Sequence, residues 1–303
     1  MPLAVITFEF DPLVELAGLT VRWETLAIAG AVLVGLLLGA LLAHRDRSAP
    51  DDMLRLDDML FVLVAVVPGA VVGGRIGYVL VHLDYFRANT ERILDPAAGG
   101  LELGLAVAGG LLAGVLVGRL LGLPVGRWLH VAAVPLILVL GLGKAANILG
   151  GTGQGEPAIK DWATAYLGAG PWGSLAPEIP SHPAQAYEAG MTALALLTLL
   201  AVAFVLAPVR PDGRLFFGAL ALWAVGRLVA GFWWRDPASI GPLSTAQVIA
   251  LGIAVGSAVV AAGLVWRSGR GPWRSAGSGS RPEGLDDGVE WPDEEATRSW
   301  RSS

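Results

Sequence analysis

The sequence contains no cysteine and only four histidines among its 303 residues. Without cysteine the chain cannot form a disulfide or a thiolate metal site, and it cannot supply a cysteine nucleophile. No two of the histidines have the helical spacing of a metal-ligand pair. We therefore expect neither a metal nor another cofactor, and any thiol that reacts in this protein must come from a substrate.

Charged residues are also scarce. They make up 16% of the chain, whereas soluble domains contain about 25%. Hydrophobic residues reach 54% and the mean hydropathy is +0.61, which indicates an integral membrane protein. The net charge of −5 and the lack of a basic stretch exclude nucleic acid as an expected partner.

Long apolar runs predict the architecture. The hydrocarbon core of a bilayer is crossed by roughly 20 apolar residues of helix. Seven such runs lie near residues 25–43, 59–83, 103–122, 129–150, 184–207, 214–234 and 244–266. Trp233 and Trp234, at the end of the sixth run, are expected in an interfacial aromatic belt. We predict an all-α integral membrane protein with seven transmembrane helices.

The distribution of Lys and Arg predicts the orientation. Most of those near helix ends lie on the side that holds the first interhelical loop and the C-terminus. Since cytoplasmic loops are enriched in Lys and Arg, we expect a multi-pass membrane protein with its N-terminus outside and its C-terminus in the cytoplasm. We divide the chain into a membrane domain at 1–267, with a small outer cap at 151–183 between helices four and five, and a disordered cytoplasmic tail at 268–303.

Four ionisable residues fall within the predicted helices at similar depth near the outer face: Arg75, Lys144, Glu188 and Arg227. Such residues are costly in a membrane and are functional candidates. Three cations and one carboxylate in one cavity would have an excess of positive charge, which suits an anion such as a lipid phosphate. The alternative is that each long side chain snorkels to the interface.

The stretch GLGKAANILGGTGQGE, residues 141–156, ends the fourth run with a lysine and a glycine-rich turn. In a nucleotide-binding P-loop the lysine follows the glycines and precedes Ser or Thr. Here Lys144 precedes the glycines, so the pattern does not indicate a nucleotide site.

Seven segments, in order, resemble the bacterial prolipoprotein diacylglyceryl transferase family. They are LTVRWETLAI, GGRIGYVL, GLAVAGGLLAG, GLGKAANILGGTGQGE, HPAQAYEA, GRLVAGFWWRDP and GPLSTAQVIAL, and they extend over residues 18 to 255. The resemblance implies transfer of a diacylglyceryl group from phosphatidylglycerol to the lipobox cysteine thiol of a preprolipoprotein during lipoprotein maturation. It implies as partners phosphatidylglycerol, the preprolipoprotein signal peptide with its lipobox cysteine, and membrane lipids. It also implies a location in the bacterial inner (cell) membrane.

The resemblance also implies a set of site residues. The expected catalytic residues are Lys144, Asn147 and Arg227. The expected substrate-binding residues are Arg75, Tyr78, Gly155, His182, Gln185, Tyr187 and Glu188.

The chain is similar to a divergent member, because five positions depart from the family pattern. Lys144 stands where arginine is expected, Thr152 where an acid is expected, Ala108 where histidine is expected, Glu24 where tyrosine is expected and Gly231 where an acid is expected. Lysine keeps the charge at position 144 but not the bidentate fork of arginine. Without the histidine, the general base is left open among Glu24, Glu188 and His182.

The departures leave alternative functions open. A catalytically impaired paralogue would bind an anionic lipid or a lipoprotein precursor without transfer. An enzyme of the same fold could act on another lipid phosphate. A transporter is the least supported hypothesis, because the polar residues gather near one face rather than at the bilayer midplane.

Overall fold

A computed structural model describes residues 5–46, 54–95, 98–206 and 209–269. Within these ranges seven helices are long and apolar enough to cross a membrane, which confirms the predicted all-α integral membrane fold. The helices are α1 (Trp23–Arg45), α2 (Leu56–Val81), the short α3 (Leu83–Ala88), α4 (Leu103–Leu120), α5 (Val125–Gly150), α6 (Ala184–Ala201), α7 (Arg214–Ala230) and α8 (Thr245–Gly269). The prediction for the sixth run extended to residue 234, but α7 ends at Ala230 and a 3₁₀ turn follows at Gly231–Trp233.

Two helix ends near the site have clear causes in the sequence. The carboxylate of Glu102 caps α4 by accepting hydrogen bonds from the backbone N–H groups of Gly104 and Leu105, both at 2.7 Å. At the end of α5, Gly151 adopts a left-handed conformation with φ of 71°. Glycine enters this region without the steric cost that a side chain adds, so the glycine-rich turn is where α5 stops.

Glycines allow α2 and α4 to pack with their backbones in contact. A Cβ atom added to Gly73 would overlap Leu105 O of α4, and one added to Gly109 would overlap Gly69 O of α2. Membranes provide no hydrophobic driving force between helices. Small residues at the interface stabilise the contact instead, because they let the helices pack closely. This contact holds the cap of α4, and therefore Glu102, beside α2.

The transmembrane helices enclose an apolar core and a cavity. Ile137 of α5, Leu199 of α6 and Trp223 of α7 are buried together in the core. An apolar cavity of about 450 Å³ lies between α1, α2, α4 and α5, and its lining extends from Leu103 to Val125. The cavity therefore runs along α4, from the residue next to Glu102 to the opposite end of the helix.

We call the end of the bundle where α5 ends and α6 begins the cap end. Strand β1 (Ile6–Glu9) pairs in parallel with β4 (Thr164–Leu167) of the segment between these helices. Strands β2 (Leu13–Leu16) and β3 (Leu19–Arg22) form a hairpin that leads into α1, and β5 (Ala238–Ile240) pairs with β6 (Leu243–Ser244) before α8. The cap predicted at 151–183 is thus joined by residues near the N-terminus, which the apolar pattern did not indicate.

The proposed division at residue 267 stays a prediction. Of the predicted tail at 268–303, residues 270–303 lie outside the described residues.

Candidate active site

Four ionisable side chains meet at the cap end, three from α5, α6 and α7 and one from the residue that caps α4. Glu188, 1% exposed in the first turns of α6, accepts a hydrogen bond from Arg227 Nη1 of α7. Lys144 Nζ of α5 lies 3.0 Å from the other carboxylate oxygen, Glu188 Oε2. Arg227 Nη2 also donates to Glu102 Oε1 at 2.9 Å. We call Glu102, Lys144, Glu188 and Arg227 the charge cluster.

The charge cluster has two cations and two carboxylates, so the predicted excess of positive charge is wrong for this arrangement. The prediction included Arg75 and omitted Glu102. Burying an unbalanced charge is expensive, and the second carboxylate offsets that cost. Glu102 was missed because it stands at the edge of an apolar run. The sequence feature that could have indicated Glu102 is a single acidic residue just before the apolar run, where a helix cap is expected.

Arg75 has other partners. Its Nε donates to Ile93 O at 2.6 Å, and its Nη2 donates to Arg92 O and Asp95 O, both at 2.9 Å. The guanidinium also lies 5.3 Å from the Phe86 ring. These contacts hold the chain that follows α3, and none of them is with the charge cluster.

Tyr78 lies one turn further along α2 and lines an open pocket. Its ring stacks on His82 with centroids 4.2 Å apart, and it packs so closely against Gly99 that a Cβ there would overlap the ring. Tyr78, His82, Tyr85, Phe86 and Ala98 surround a pocket of about 300 Å³. This aromatic pocket is at the cap end of α2.

Trp234 covers the two cations of the charge cluster. Its ring centroid lies 4.6 Å from the guanidinium carbon of Arg227 and 5.8 Å from Lys144 Nζ. Both distances are within the range of cation–π attraction. Trp234 therefore contributes directly to the cluster, a role beyond the aromatic belt expected from its position in the sequence.

Asp236, two residues beyond Trp234, also interacts with the charge cluster. Burial of its carboxyl raises its pKa above the ordinary value, although His82, Arg227 and Lys144 act in the opposite direction. Sequence reasoning missed this residue because its relation to His82 and the cluster depends on the turn after α7.

A second polar group surrounds Glu24 in the first turn of α1. Glu24 Oε2 accepts a hydrogen bond from Thr152 Oγ1 at 2.9 Å and forms an ion pair with Arg22 Nη2 at 3.4 Å. With the Asn147 amide oriented so that its nitrogen faces oxygen atoms, Nδ2 donates to Gly143 O at 3.0 Å and to Glu24 Oε1 at 3.2 Å. We call Arg22, Glu24, Asn147 and Thr152 the Glu24 cluster.

Another replaced position has a structural explanation. A Cβ on Gly231 would lie 2.6 Å from Gln247 Cγ, so the side chain of Gln247 occupies the space where the family pattern expects an acid. Gln247 Oε1 accepts from Ser244 N at 2.9 Å and its Nε2 donates to Leu228 O at 3.1 Å. The glutamine therefore ties the start of α8 to the end of α7.

Gly155 joins the cap to the turn after α7. Its N–H donates to His182 O at 2.7 Å, and its carbonyl accepts from Arg235 Nε at 2.6 Å. A Cβ at this position would overlap Trp233 O. The close backbone approach explains the glycine without a direct substrate contact.

The three remaining predicted binding residues hold aromatic side chains of the cap. Tyr187 Oη accepts from Trp162 Nε1 at 2.8 Å and lies 3.1 Å from His182 Nδ1. Gln185 Nε2 donates to Tyr166 Oη at 2.8 Å. Burial raises the pKa of Tyr166 to about 12, so its hydroxyl is neutral at physiological pH.

Replacing Gly155 by alanine is expected to lower the melting temperature of the purified protein. The added methyl group would push apart the Gly155 and Trp233 backbones, and such overpacking costs about 1–3 kcal/mol. Gly190→Ala is the matched control, because a Cβ on Gly190 of α6 has no atom of the described residues within 4 Å. Equal melting temperatures for the Gly155→Ala variant and the wild type would contradict this explanation.

The fold and the charge cluster define a polytopic membrane protein with a buried group of acids and bases under a small cap. Residues 12–263 match the family model of prolipoprotein diacylglyceryl transferase. The chain therefore belongs to this family, which confirms the predicted resemblance.

Relatives support the same conclusion over most of the chain. A phosphatidylglycerol–prolipoprotein diacylglyceryl transferase of Nitrobacter winogradskyi is 31% identical over 265 residues, which cover 81% of this chain and 87% of the relative. The protein of the same name from a Nostoc species is 32% identical over 275 residues, covering 88% and 92%. That from Gloeobacter violaceus is 31% identical over 264 residues, covering 85% and 93%.

Proposed function

We propose that this protein transfers a diacylglyceryl group from phosphatidylglycerol to the lipobox cysteine of a preprolipoprotein. Family membership and the names of the relatives support the reaction. The observation that carries the proposal is the charge cluster, in which Arg227 and Lys144 lie together at the cap end under Trp234. The lack of cysteine agrees with a thiol supplied by the substrate.

The cations of the charge cluster suit the departing phosphate. In the reaction the thiol sulfur attacks the glyceryl carbon, a C–S bond forms, and the C–O bond to the phosphate breaks. The thiol proton is removed and glycerol phosphate leaves. Arg227 Nε is buried and makes no hydrogen bond within the described residues, so this donor remains available for a phosphate oxygen. Stabilising the charge that develops on a leaving group is a large part of catalysis.

The carboxylates of the cluster keep these cations in place before the lipid binds. Glu188 and Glu102 orient the two outer nitrogens of Arg227, and Glu188 also fixes Lys144. Donors that are already oriented need little reorganisation as negative charge appears. Asn147, one turn beyond Lys144 on α5, is proposed to position the lipid headgroup.

The apolar cavity supports binding of the lipid tails. It begins at Leu103 and Ala106, next to Glu102, and continues along α4. A diacylglyceryl group whose phosphate lies at the charge cluster would place apolar chains along this route, where burial removes them from the polar end of the site.

We further propose that the cap end faces the outside of the bacterial inner membrane, with the N-terminus outside and the C-terminus in the cytoplasm. The excess of Lys and Arg at the opposite end supports this orientation. It would place the charge cluster near the outer headgroups, where an exported preprolipoprotein presents its signal peptide.

The function is tested with purified protein, phosphatidylglycerol and a lipobox peptide. We expect a thioether product, detected by mass spectrometry as the peptide plus one diacylglyceryl group. A peptide with serine in place of the cysteine is the matched control and should give no product. The absence of product, under conditions where another family member is active, would contradict the proposal.

A catalytically impaired paralogue is the second candidate. It is favoured by Ala108, where the family pattern has histidine, and by Gly231, where Gln247 leaves no room for an acid. This candidate predicts that phosphatidylglycerol remains bound through purification but that no thioether forms. Turnover in the peptide assay would exclude it.

A further inference from the structure

The two replaced positions at 24 and 152 lie in direct contact. Thr152 Oγ1 of the turn after α5 donates to Glu24 Oε2 of α1 at 2.9 Å. Where the family resemblance leads us to expect a tyrosine at 24 and an acid at 152, this chain has an acid at 24 and a hydroxyl at 152. In this chain the two replaced positions thus pair a carboxylate on α1 with a hydroxyl on the turn after α5.

The carboxylate of Glu24 is buried, and both of its oxygens have partners. Glu24 is 7% exposed, and these partners are Asn147 Nδ2 and Thr152 Oγ1, with Arg22 as the counterion. Arg22 Nη2 also donates to Gly150 O at 3.1 Å, and a Cβ on Gly150 would overlap Glu24. The Glu24 side chain thus packs directly against the backbone at the end of α5.

Glu24 also determines the orientation of the Asn147 amide. In the orientation assigned from the surrounding acceptors, Nδ2 donates to both Glu24 Oε1 and Gly143 O, so the amide nitrogen is committed to protein oxygens. The remaining polar atom of the side chain is then Oδ1, a hydrogen-bond acceptor. An acceptor suits the hydroxyl groups of a glycerol headgroup.

We propose that Glu24 is a positioning residue of the transfer site, which supplies from α1 the carboxylate that orients Asn147 and binds the Thr152 hydroxyl. This inference rests on the proposed function. Glu24 acts through Asn147 and needs no contact with the reacting atoms. Its contacts therefore assign it to headgroup positioning rather than to proton removal.

The inference predicts a specific kinetic change. Glu24→Gln can present an N–H to Asn147, so the amide loses its fixed orientation, and we expect KM for phosphatidylglycerol to rise about tenfold. KM for the lipobox peptide should remain at its wild-type value. A purely structural defect would instead lower kcat with the amount of folded protein, without changing either KM. Glu15→Gln, at an exposed position of β2, is the matched control.

The decisive experiment moves the carboxylate from position 24 to position 152. Glu24→Thr alone should raise KM for phosphatidylglycerol at least as much as Glu24→Gln, and adding Thr152→Glu should return it to within about threefold of wild type, since the pair is coupled. Melting temperatures identify any variant that fails to fold. If a threonine or glutamate variant does not fold, Glu24→Gln, which keeps the side-chain shape, tests the inference by itself. An unchanged KM in Glu24→Gln, or a folded double variant no better than Glu24→Thr, would overturn the inference. Inactive wild-type protein would instead refute the proposed function.

Discussion

Replacement of Arg227 by methionine is expected to lower kcat/KM for transfer by at least about 10²-fold, the effect of removing a preorganised donor from a transition state. The same change should destabilise the protein by about 3–5 kcal/mol, because it leaves buried carboxylates without their partner. Arg227 is 5% exposed and is the only residue of the charge cluster bonded to both Glu102 and Glu188. Transfer is measured with the lipobox peptide, and stability by thermal unfolding in detergent.

Additional variants separate the two effects of Arg227. Arg227→Lys keeps the charge but cannot bond both carboxylates in the same fork, so we expect partial stability and little activity. Combining Arg227→Met with Glu102→Gln removes the carboxylate that has lost its cation and leaves Glu188 paired with Lys144, so this double variant should recover stability without activity. Arg87→Met is the matched control, since the Arg87 side chain is 70% exposed. Near-normal transfer by folded Arg227→Met protein would refute the assigned role.

Replacement of Gly109 by leucine is expected to prevent assembly of the membrane domain. A side chain on Gly109 would meet the backbone of α2, at Gly69 O and at Gly73 Cα, and backbone atoms cannot move aside as a flexible side chain can. Overpacking costs about 1–3 kcal/mol where side chains can adjust, and we expect more here. The yield of monodisperse protein in size-exclusion chromatography measures the effect.

The control for this variant uses the same substitution at a glycine without neighbours. Gly256 lies on an exposed face of α8, and within the part of the chain that the structure describes no atom lies within 4 Å of a Cβ placed there. Gly256→Leu should therefore assemble normally, whereas Gly109→Leu should not. Equal yields and melting temperatures for the two variants would show that α2 and α4 tolerate a wider separation than their close packing indicates.

Much of the site could be predicted from the sequence, but its partners could not. Lys144, Glu188 and Arg227 stand out because a charge inside an apolar run is costly wherever the helix packs. Glu102 does not stand out, since a helix cap looks like any flanking acid. The same limit applies to Arg75, whose three carbonyl acceptors become visible only when the chain after α3 turns back on α2.

The replaced positions illustrate the difference further. From the sequence, Glu24 and Thr152 are two separate departures from the family pattern, more than a hundred residues apart. The structure makes them one hydrogen-bonded pair. Likewise, Gly231 reads as the loss of an acid, whereas the structure shows that Gln247 occupies the space beside it.

From the amino-acid sequence alone one can predict seven membrane helices, a reacting thiol supplied by the substrate, and membership of the family. These properties depend on composition, on the length of apolar runs and on local order, all of which are present along the chain. Three further properties follow from tertiary contacts: the balance of the charge cluster, its cover by Trp234, and the hydrogen bond from Thr152 to Glu24. Those properties depend on which helix faces which, and the glycine contacts between α2 and α4 and the turns at the cap end set that arrangement.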